Sequence, residues 1–220
     1  MSSVRPDDRT CMDSWLDHFV VVAHSLAAGS DLVQGALGVR LGPGRKHPHM
    51  GTHNLLLALG ADVYLEVAAV DPDAAAVSRP RWFGLDNLDP QRSARLAAWV
   101  ASTDDIASAA GPKLGDVETM EREGRKWQMT LTADGRPPLD GAGPVLIQRS
   151  TKTHPASVLP DSGLRLRQLR IRHPAPAVVS ELLASIGLAA QARVTVVHGA
   201  HCALVAEIET PSGLRFLGEA

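Results

Sequence analysis

The sequence is poor in cysteine and aromatic residues, carries no excess charge of either sign, and has no long apolar run. Its two cysteines, Cys11 and Cys202, are too few for a disulfide-stabilised scaffold and favour a reducing compartment. The 22 Lys and Arg residues against 24 Asp and Glu residues give a formal net charge of −2. A near-neutral balance argues against the excess of basic residues by which proteins bind nucleic acid, so we expect no nucleic-acid partner.

The apolar runs are all too short to cross a bilayer, and the first residues lack the apolar segment of a secretory signal. We therefore expect a soluble, cytoplasmic protein with no membrane partner. A chain of 220 residues can bury a substantial core, either as one large domain or as small fused units.

Hydrophobic patterning indicates a first module over residues 16–78, after a disordered tail over residues 1–15. Its predicted elements are a strand at 16–23, a helix at 30–37 capped by Ser30 or Asp31, a loop at 42–51, and strands at 52–59 and 63–69, with a short strand between the helix and the final hairpin.

A similar order of elements recurs twice. The predicted elements of residues 79–160 are a strand at 96–101, a helix at 103–110, and strands at 115–122, 125–132 and 144–149. Those of residues 161–220 are a strand at 164–172, a helix ending at 186, and strands at 193–197, 203–209 and 214–217. We therefore predict an α+β fold with two tandem βαβββ modules and a third, partial β-α-β-β module.

Glu66 lies in the middle of a strand that is apolar on both faces. It is either satisfied by an Arg or backbone donors, or it faces a cavity as a ligand or base, because a lone buried carboxylate is costly. His18 offers a similar choice, since the strand face that carries it also carries Leu16, Val20 and Val22. It is either a hydrogen-bonded core residue or, with Glu66, a ligand of a divalent ion such as Zn²⁺, Mn²⁺, Ni²⁺ or Fe²⁺.

A second cluster, His47, His49 and His53, has the spacing H-P-H-x-x-x-H. The proline and glycine between these residues predict a flexible loop, which makes this a weak metal signal. We expect these three histidines to line the mouth of a pocket, with Arg45 and Lys46 available for an anionic group.

Trp82 and Phe83 are adjacent members of a small aromatic set of four Trp, one Tyr and three Phe residues. They either cap the core or line the wall of a ligand site. The sequence has no G-x-S-x-G nucleophile motif, which argues against a serine hydrolase.

Several of these residues belong to motifs that resemble the glyoxalase-like domains of the vicinal oxygen chelate superfamily. The motifs are L-D-H at 16–18, G-R-K-H-P-H-M-G-T-H-N at 44–54 and Y-L-E-V at 64–67, with weaker likeness at 146–148 and 154–156. The resemblance extends over roughly residues 15–217 and is more specific in the first module.

The resemblance implies paired modules whose curved mixed sheets surround a shared cleft. In metal-using relatives, the first and fourth strands of each module each supply one ligand. Those positions are His18 and Glu66 in the first module and Ala98 and Gln148 in the second. The implied metal ligands are therefore His18, Glu66 and Gln148, one short of a full set because Ala98 cannot ligate. The implied substrate-binding residues are Arg45, His47, His53, Trp82, Phe83 and His154.

Two functions remain open. One is a divalent-metal-dependent lyase, isomerase or oxygenase acting on a small oxygenated metabolite, with Glu66 as the catalytic residue that moves a proton. The other is a metal-free protein of the same fold that binds or sequesters a small molecule. Pairing of His18 with Glu66 favours the first function, and Ala98 favours the second. Chains of this kind often pair, so we also expect a homodimer.

Overall fold

A computed structural model of the protein describes residues 13–122, 124–151, 153–188 and 193–219. The strands of the first two modules are β1 (Ser14–Ala23), β2 (Gly42–His47), β3 (Thr52–Ala58), β4 (Tyr64–Val70), β5 (Ala94–Thr103), β6 (Asp116–Arg122), β7 (Arg125–Leu131) and β8 (Val145–Arg149). The C-terminal strands are β9 (Arg165–His173), β10 (Val194–His198), β11 (Ala203–Thr210) and β12 (Gly213–Gly218). The helices are α1 (Leu26–Leu37), α2 (Ile106–Ala109) and α3 (Pro176–Ser185).

The predicted α+β order of elements is confirmed, with two local corrections. Helix α1 begins four residues before the predicted start, because the Ser25 hydroxyl accepts the N–H of Ala28 and caps it there. The segment predicted as a loop at 42–51 instead contains edge strand β2, followed by a short 3-10 helix over Pro48–Met50. Most of the predicted tail lies outside the described residues, although Ser14 and Trp15 already belong to β1.

The first two modules join in one eight-stranded sheet with the strand order β2-β3-β4-β1-β5-β8-β7-β6. Strands β1 and β5 meet at its centre and are antiparallel, with Phe19 opposite Trp99. Because His18 pairs with Val100 and Val20 with Ala98, the register is symmetric about that pair. Ala98 is therefore the counterpart of His18, as the resemblance to glyoxalase-like domains implied.

Two β-bulges also follow this symmetry. In β1 the register shifts between Leu16 and His18, which leaves Asp17 as an extra residue, and β5 shifts in the same way at Ala97. Beyond the bulge, His18, Val20 and Val22 face the inner side of the sheet, whereas Leu16 packs in the opposite core with Phe19 and Val21. The prediction that Leu16 shares the face of His18 is therefore wrong, because the bulge interrupts the alternation.

The C-terminal module forms its own four-stranded sheet with the order β10-β9-β11-β12. Here β9 pairs in parallel with β10 and antiparallel with β11, whereas β1 of the first module pairs with β4 and β5. The element order resembles the first module, but the strand pairing differs. Its apolar residues share a core with α1 and the outer face of the large sheet, so the inner face stays open.

Within the described residues, no helix combines the length and the apolar character needed to cross a membrane.

Candidate functional site

The inner face of the eight-stranded sheet surrounds a cavity of about 570 Å³, a size that suits a small organic ligand. Residues from both modules line it. Its polar and aromatic walls comprise His18, Arg45, His47, Asn54, Tyr64, Glu66, Trp82, Phe83, Arg122, Arg125, Lys126, Trp127, Arg149, Thr151, Thr153 and His154.

His18 and Glu66 lie together on the floor of this cavity. The Nε2 atom of His18 is 3.4 Å from Oε2 of Glu66, and the two residues are only 4% and 7% exposed. They come together because β1 and β4 are parallel neighbours and both side chains face inward. A charge-assisted hydrogen bond would be shorter, so both atoms can still engage a ligand.

Asp17 supports His18 from behind. Its carboxylate lies 2.6 Å from Nδ1 of His18, so it accepts the proton on that nitrogen and leaves Nε2 directed at Glu66. Arg149 at the end of β8 also binds Asp17, with Nη2 at 2.8 Å from Oδ1, and reaches the hydroxyl of Tyr64 at 3.3 Å. The Tyr64 ring stacks on the His18 ring with centroids 4.3 Å apart, which fixes the plane of the imidazole.

Asn54 holds Glu66 from the other side. Its Nδ2 donates to Oε1 of Glu66 at 2.9 Å and lies 3.2 Å from Nε2 of His47. Its Oδ1 accepts the backbone N–H of Arg45 at 2.7 Å, in the irregular part of the β2–β3 pairing. Gly44 permits this approach, because a Cβ atom there would lie 1.9 Å from the backbone oxygen of Asn54.

The electrostatics favour an ionised pair at the floor. Burial opposes the charged form of His18, but the hydrogen bonds and charges of Asp17 and Glu66 outweigh it and raise its pKa above the usual value. Burial likewise opposes ionisation of Glu66, but the contacts with His18 and Asn54 lower its pKa. Asp17 follows the same pattern, with His154, His18 and Arg149 holding its pKa well below the usual range.

The pKa of His47 is shifted in the opposite direction from that of His18. Burial lowers its pKa to about 4, assisted by the charges of Arg122 and Arg45 and opposed by that of Glu66. The imidazole is therefore neutral at neutral pH and accepts hydrogen bonds. Nη1 of Arg122 approaches its Nε2 to 3.0 Å.

Trp82 and Phe83 form one wall from a short 3-10 helix, Trp82–Asn87, in the connection between the modules. Phe83 has φ of 60° and Gly84 has φ of 70°, so two consecutive residues adopt the left-handed conformation. For a bulky residue such as Phe83 this geometry costs roughly 1–3 kcal/mol, and strain of this kind is concentrated at functional sites. The hydrogen bond from Gly84 N–H to the Gly135 carbonyl, at 2.8 Å, helps to hold it.

The cavity brings together seven of the residues singled out in the sequence. They are His18, Arg45, His47, Glu66, Trp82, Phe83 and His154. His53 is not among them. It neighbours Asn54 on β3 and so faces the other side of the sheet, where its Nδ1 lies 3.9 Å from Asp71.

Gln148 also lies outside the cavity lining. Its side-chain oxygen accepts the N–H of Ile106 at 2.9 Å and its Nε2 donates to the Asp104 carbonyl at 2.6 Å, so the amide caps α2. The strand register also assigns a different counterpart to Glu66. Val20 pairs with Glu66 and its equivalent Val100 pairs with Val145, so the fourth-strand position of the second module is Val145. We therefore do not retain Gln148 as a ligand.

Five further residues of the site have no role predicted from the sequence: Asp17, Asn54, Tyr64, Arg122 and Arg149. Asp17, Asn54 and Tyr64 lie inside the motifs at 16–18, 44–54 and 64–67, so these motifs could have identified them as site residues. Arg122 and Arg149 carry no motif, and only the curvature of the sheet brings them to the site.

The donor set does not fit a resident divalent ion. His18 and Glu66 have suitable supporting partners, but catalytic metal sites usually take about three protein ligands. The mirrored positions hold Ala98 and Val145, neither of which can ligate. Among the described residues, no group of three or more His, Cys, Asp and Glu side chains is arranged to hold an ion.

Comparison with known proteins identifies relatives of the same architecture. A family model described as "Glyoxalase-like domain" matches residues 16–187. No curated protein matches the sequence. A hypothetical protein from Staphylococcus aureus superposes with a TM-score of 0.57 at 15% identity, covering 86% of this chain and 88% of that one.

Methylmalonyl-CoA epimerases superpose less well. The Streptomyces coelicolor enzyme in complex with 2-nitronate-propionyl-CoA has a TM-score of 0.42 at 17% identity, covering 64% of this chain and 98% of its own. The Mycobacterium tuberculosis enzyme has a TM-score of 0.39 at 14% identity, covering 68% of this chain and 95% of its own.

Proposed function

Because this chain belongs to the family of glyoxalase-like domains, in the vicinal oxygen chelate superfamily, we propose that it binds a small oxygenated anion and moves a proton on it with Glu66 and His18. The observation that carries this proposal is the separation of 3.4 Å between His18 Nε2 and Glu66 Oε2 at the cavity floor. A general base needs an ionised oxygen within reach of a substrate proton, and Glu66 meets that requirement.

The charge of the lining supports an anionic substrate. Among the described residues that line the cavity, Glu66 is the one acidic side chain, against five Arg and Lys side chains. Those cations are Arg45, Arg122, Arg125, Lys126 and Arg149. A carboxylate, phosphate or enolate entering the cavity would therefore meet an attractive potential.

The proton step follows from the two protonation states. Glu66 takes a proton from a carbon next to a carbonyl, the electrons of that C–H bond form a carbon–carbon double bond, and the carbonyl π electrons move onto the oxygen to give an enolate. The imidazolium of His18 offers its Nε2–H to that oxygen as negative charge develops on it. Asp17, which is hydrogen-bonded to Nδ1, favours the protonated form of the imidazole during this step. Returning the proton to the opposite face of the same carbon, or to another carbon, gives an isomerase.

A divalent-metal-dependent lyase, isomerase or oxygenase is the competing proposal for the same cleft. It would use His18 and Glu66 as ligands of Zn, Mn, Ni or Fe, and it requires at least one further ligand from outside the described donor set. We derive no step through an ion, because Ala98 and Val145 leave the mirrored positions without donors.

Exchange of a carbon-bound proton is the direct test. The protein, freed of metal with EDTA, is incubated in D₂O with 2-oxobutanoate, and loss of the C3 proton signal is followed by NMR. We expect enzyme-dependent exchange that falls by about 10²–10⁴-fold in Glu66→Gln, the range for loss of a general base. Glu209→Gln is the matched control, because Glu209 is exposed on β11.

The remaining outcomes separate the alternatives. Exchange that appears only after Mn²⁺ or Zn²⁺ is restored, and that is lost in His18→Ala, would replace the metal-free proposal with the metal-dependent one. Oxalate, a planar dianion, serves as the binding probe in the calorimeter. Oxalate binding without proton exchange would instead identify a binding or sequestering protein.

A further inference from the structure

Trp82 presents a polar atom that the fold leaves unused. Its Nε1 is buried and has no hydrogen-bond partner among the described residues, and the residue is 4% exposed. An indole N–H is a donor only, and a buried indole usually finds an acceptor. Trp82 lines the cavity, and no polar group among the described residues supplies that acceptor.

The backbone around Trp82 holds the side chain in place. Phe83 and Gly84 are both left-handed. The Arg81 N–H, immediately before Trp82, donates to Oδ2 of Asp86 at 2.7 Å and closes the loop. A strained and pinned segment fixes the indole in advance, so a ligand does not have to order it.

Aromatic rings are concentrated around the same cavity. The chain has four Trp, one Tyr and three Phe residues, and half of these eight line the cavity: Tyr64, Trp82, Phe83 and Trp127. The His47 ring meets Trp82 edge-on with centroids 5.0 Å apart, and the Arg122 guanidinium lies 5.6 Å from the Trp127 ring centroid. Such walls favour flat π-systems, which can stack or meet ring edges.

We propose that the cleft selects a planar, unsaturated acid and that Trp82 donates its Nε1–H to an oxygen of this ligand. The inference rests on the proposed function, because it assumes that the cavity binds an oxygenated anion. It adds the class of that anion: an aromatic or conjugated acid. Trp82 acts as a specificity-determining residue, since an acid without an oxygen at this position would leave the buried N–H unpaired.

Affinities for two acids of equal charge and ring size test the proposal. Benzoate is planar and unsaturated, whereas cyclohexanecarboxylate is puckered and more apolar. Burial of apolar surface alone would favour cyclohexanecarboxylate, so the direction of the difference is diagnostic. We expect titration calorimetry to show tighter binding of benzoate.

Removal of the N–H tests the role of Trp82. In Trp82→Phe we expect benzoate to bind about tenfold more weakly, because one hydrogen bond to a charged acceptor is lost. Trp99→Phe is the control, since the Trp99 indole bonds the Ala142 carbonyl in the opposite core, at 3.2 Å. Thermal unfolding of both variants shows whether they are folded at the titration temperature.

Each outcome has one meaning. Equal or tighter binding of cyclohexanecarboxylate overturns the selection of planar acids, whether or not the variants fold. Unchanged benzoate affinity in folded Trp82→Phe overturns the role of the indole. If oxalate binds but one of these two contrary results is found, the selection of planar acids or the role of Trp82 is rejected, and the proposed function is not. If neither oxalate nor benzoate binds, both the proposed function and the inference about planar acids are rejected.

Discussion

The imidazole of His47 on β2 lies 3.0 Å from the guanidinium of Arg122 on β6, measured from Nε2 to Nη1. These two strands are the opposite edges of the eight-stranded sheet. The sheet therefore curves until its edges face each other across the cleft, and side chains bridge them. The contact depends on a neutral His47, because an imidazolium would repel the guanidinium.

Acidification should weaken the fold through His47. Its pKa is about 4 in the folded protein against 6.5 as the ordinary value. As the pH falls below 6.5, the unfolded chain takes up the proton first, so stability decreases down to about pH 4. The full effect is about 3 kcal/mol, from about 1.4 kcal/mol per unit. Urea unfolding should show a smaller loss between neutral pH and about pH 4.5 in His47→Gln than in wild type. Equal losses would contradict this prediction.

Raising the pH should decrease the free energy of unfolding through His18, whereas His47 acts when the pH is lowered. The folded pKa of His18 is raised above 6.5 by Asp17 and Glu66 despite its burial. Its contribution to stability is therefore complete below about pH 6.5 and is lost as the pH rises through the folded pKa. The free energy of unfolding of wild type should decrease over that range, and His18→Gln should lack this decrease. The exposed His201→Gln should behave as wild type, and a shared slope in all three proteins would refute the assignment.

Gly44 should tolerate no side chain. A Cβ atom there would lie 1.9 Å from the backbone oxygen of Asn54 and 2.3 Å from its Oδ1. Gly44→Ala must displace Asn54, so we expect a loss of about 1–3 kcal/mol in stability and slower proton exchange. Gly35→Ala in α1 meets nothing within 4 Å and should instead gain about 0.5–1 kcal/mol. Chemical denaturation measures both variants, and a neutral Gly44→Ala would show that Asn54 moves freely.

Arg149 should be required for the buried charge of Asp17. The Asp17 side chain is fully buried and Arg149 binds both of its oxygens. Arg149→Met leaves this carboxylate without its guanidinium, so we expect a loss of about 3–5 kcal/mol and a higher pKa for Asp17. Arg165→Met breaks the exposed ion pair with Asp161 and a hydrogen bond to the Leu164 carbonyl, and should cost about 1 kcal/mol. Similar losses in the two variants, measured by urea unfolding, would contradict the difference in burial.

The sequence predicted the order of the elements along the chain and singled out His18 and Glu66, because both depend on local patterns. Alternation located nearly every strand, and the motifs at 16–18 and 64–67 contained His18 and Glu66. It also predicted the counterpart of His18, Ala98, which the symmetric register confirms.

The sequence-based predictions were wrong where the register of a strand departs from simple alternation or alignment. The bulge at Asp17 turns the face of β1, so Leu16 was assigned to the wrong side and Asp17 was overlooked as the partner of His18. A shift of a few positions on β8 separates Gln148 from Val145, the observed counterpart of Glu66. Arg122 and Arg149 could not be predicted, because they reach the site from 75 and 132 residues away through the closure of the sheet.

The pairing of β1 with β5 gives the backbone a twofold arrangement that the side chains do not share. Ala98 and Val145 mirror the imidazole and the carboxylate of the first module. Introducing histidine and glutamate at those two positions would add a second nitrogen and a second carboxylate on the same concave face. Two substitutions, Ala98→His and Val145→Glu, therefore separate the proposed metal-free site from a donor set of the size that metal sites use.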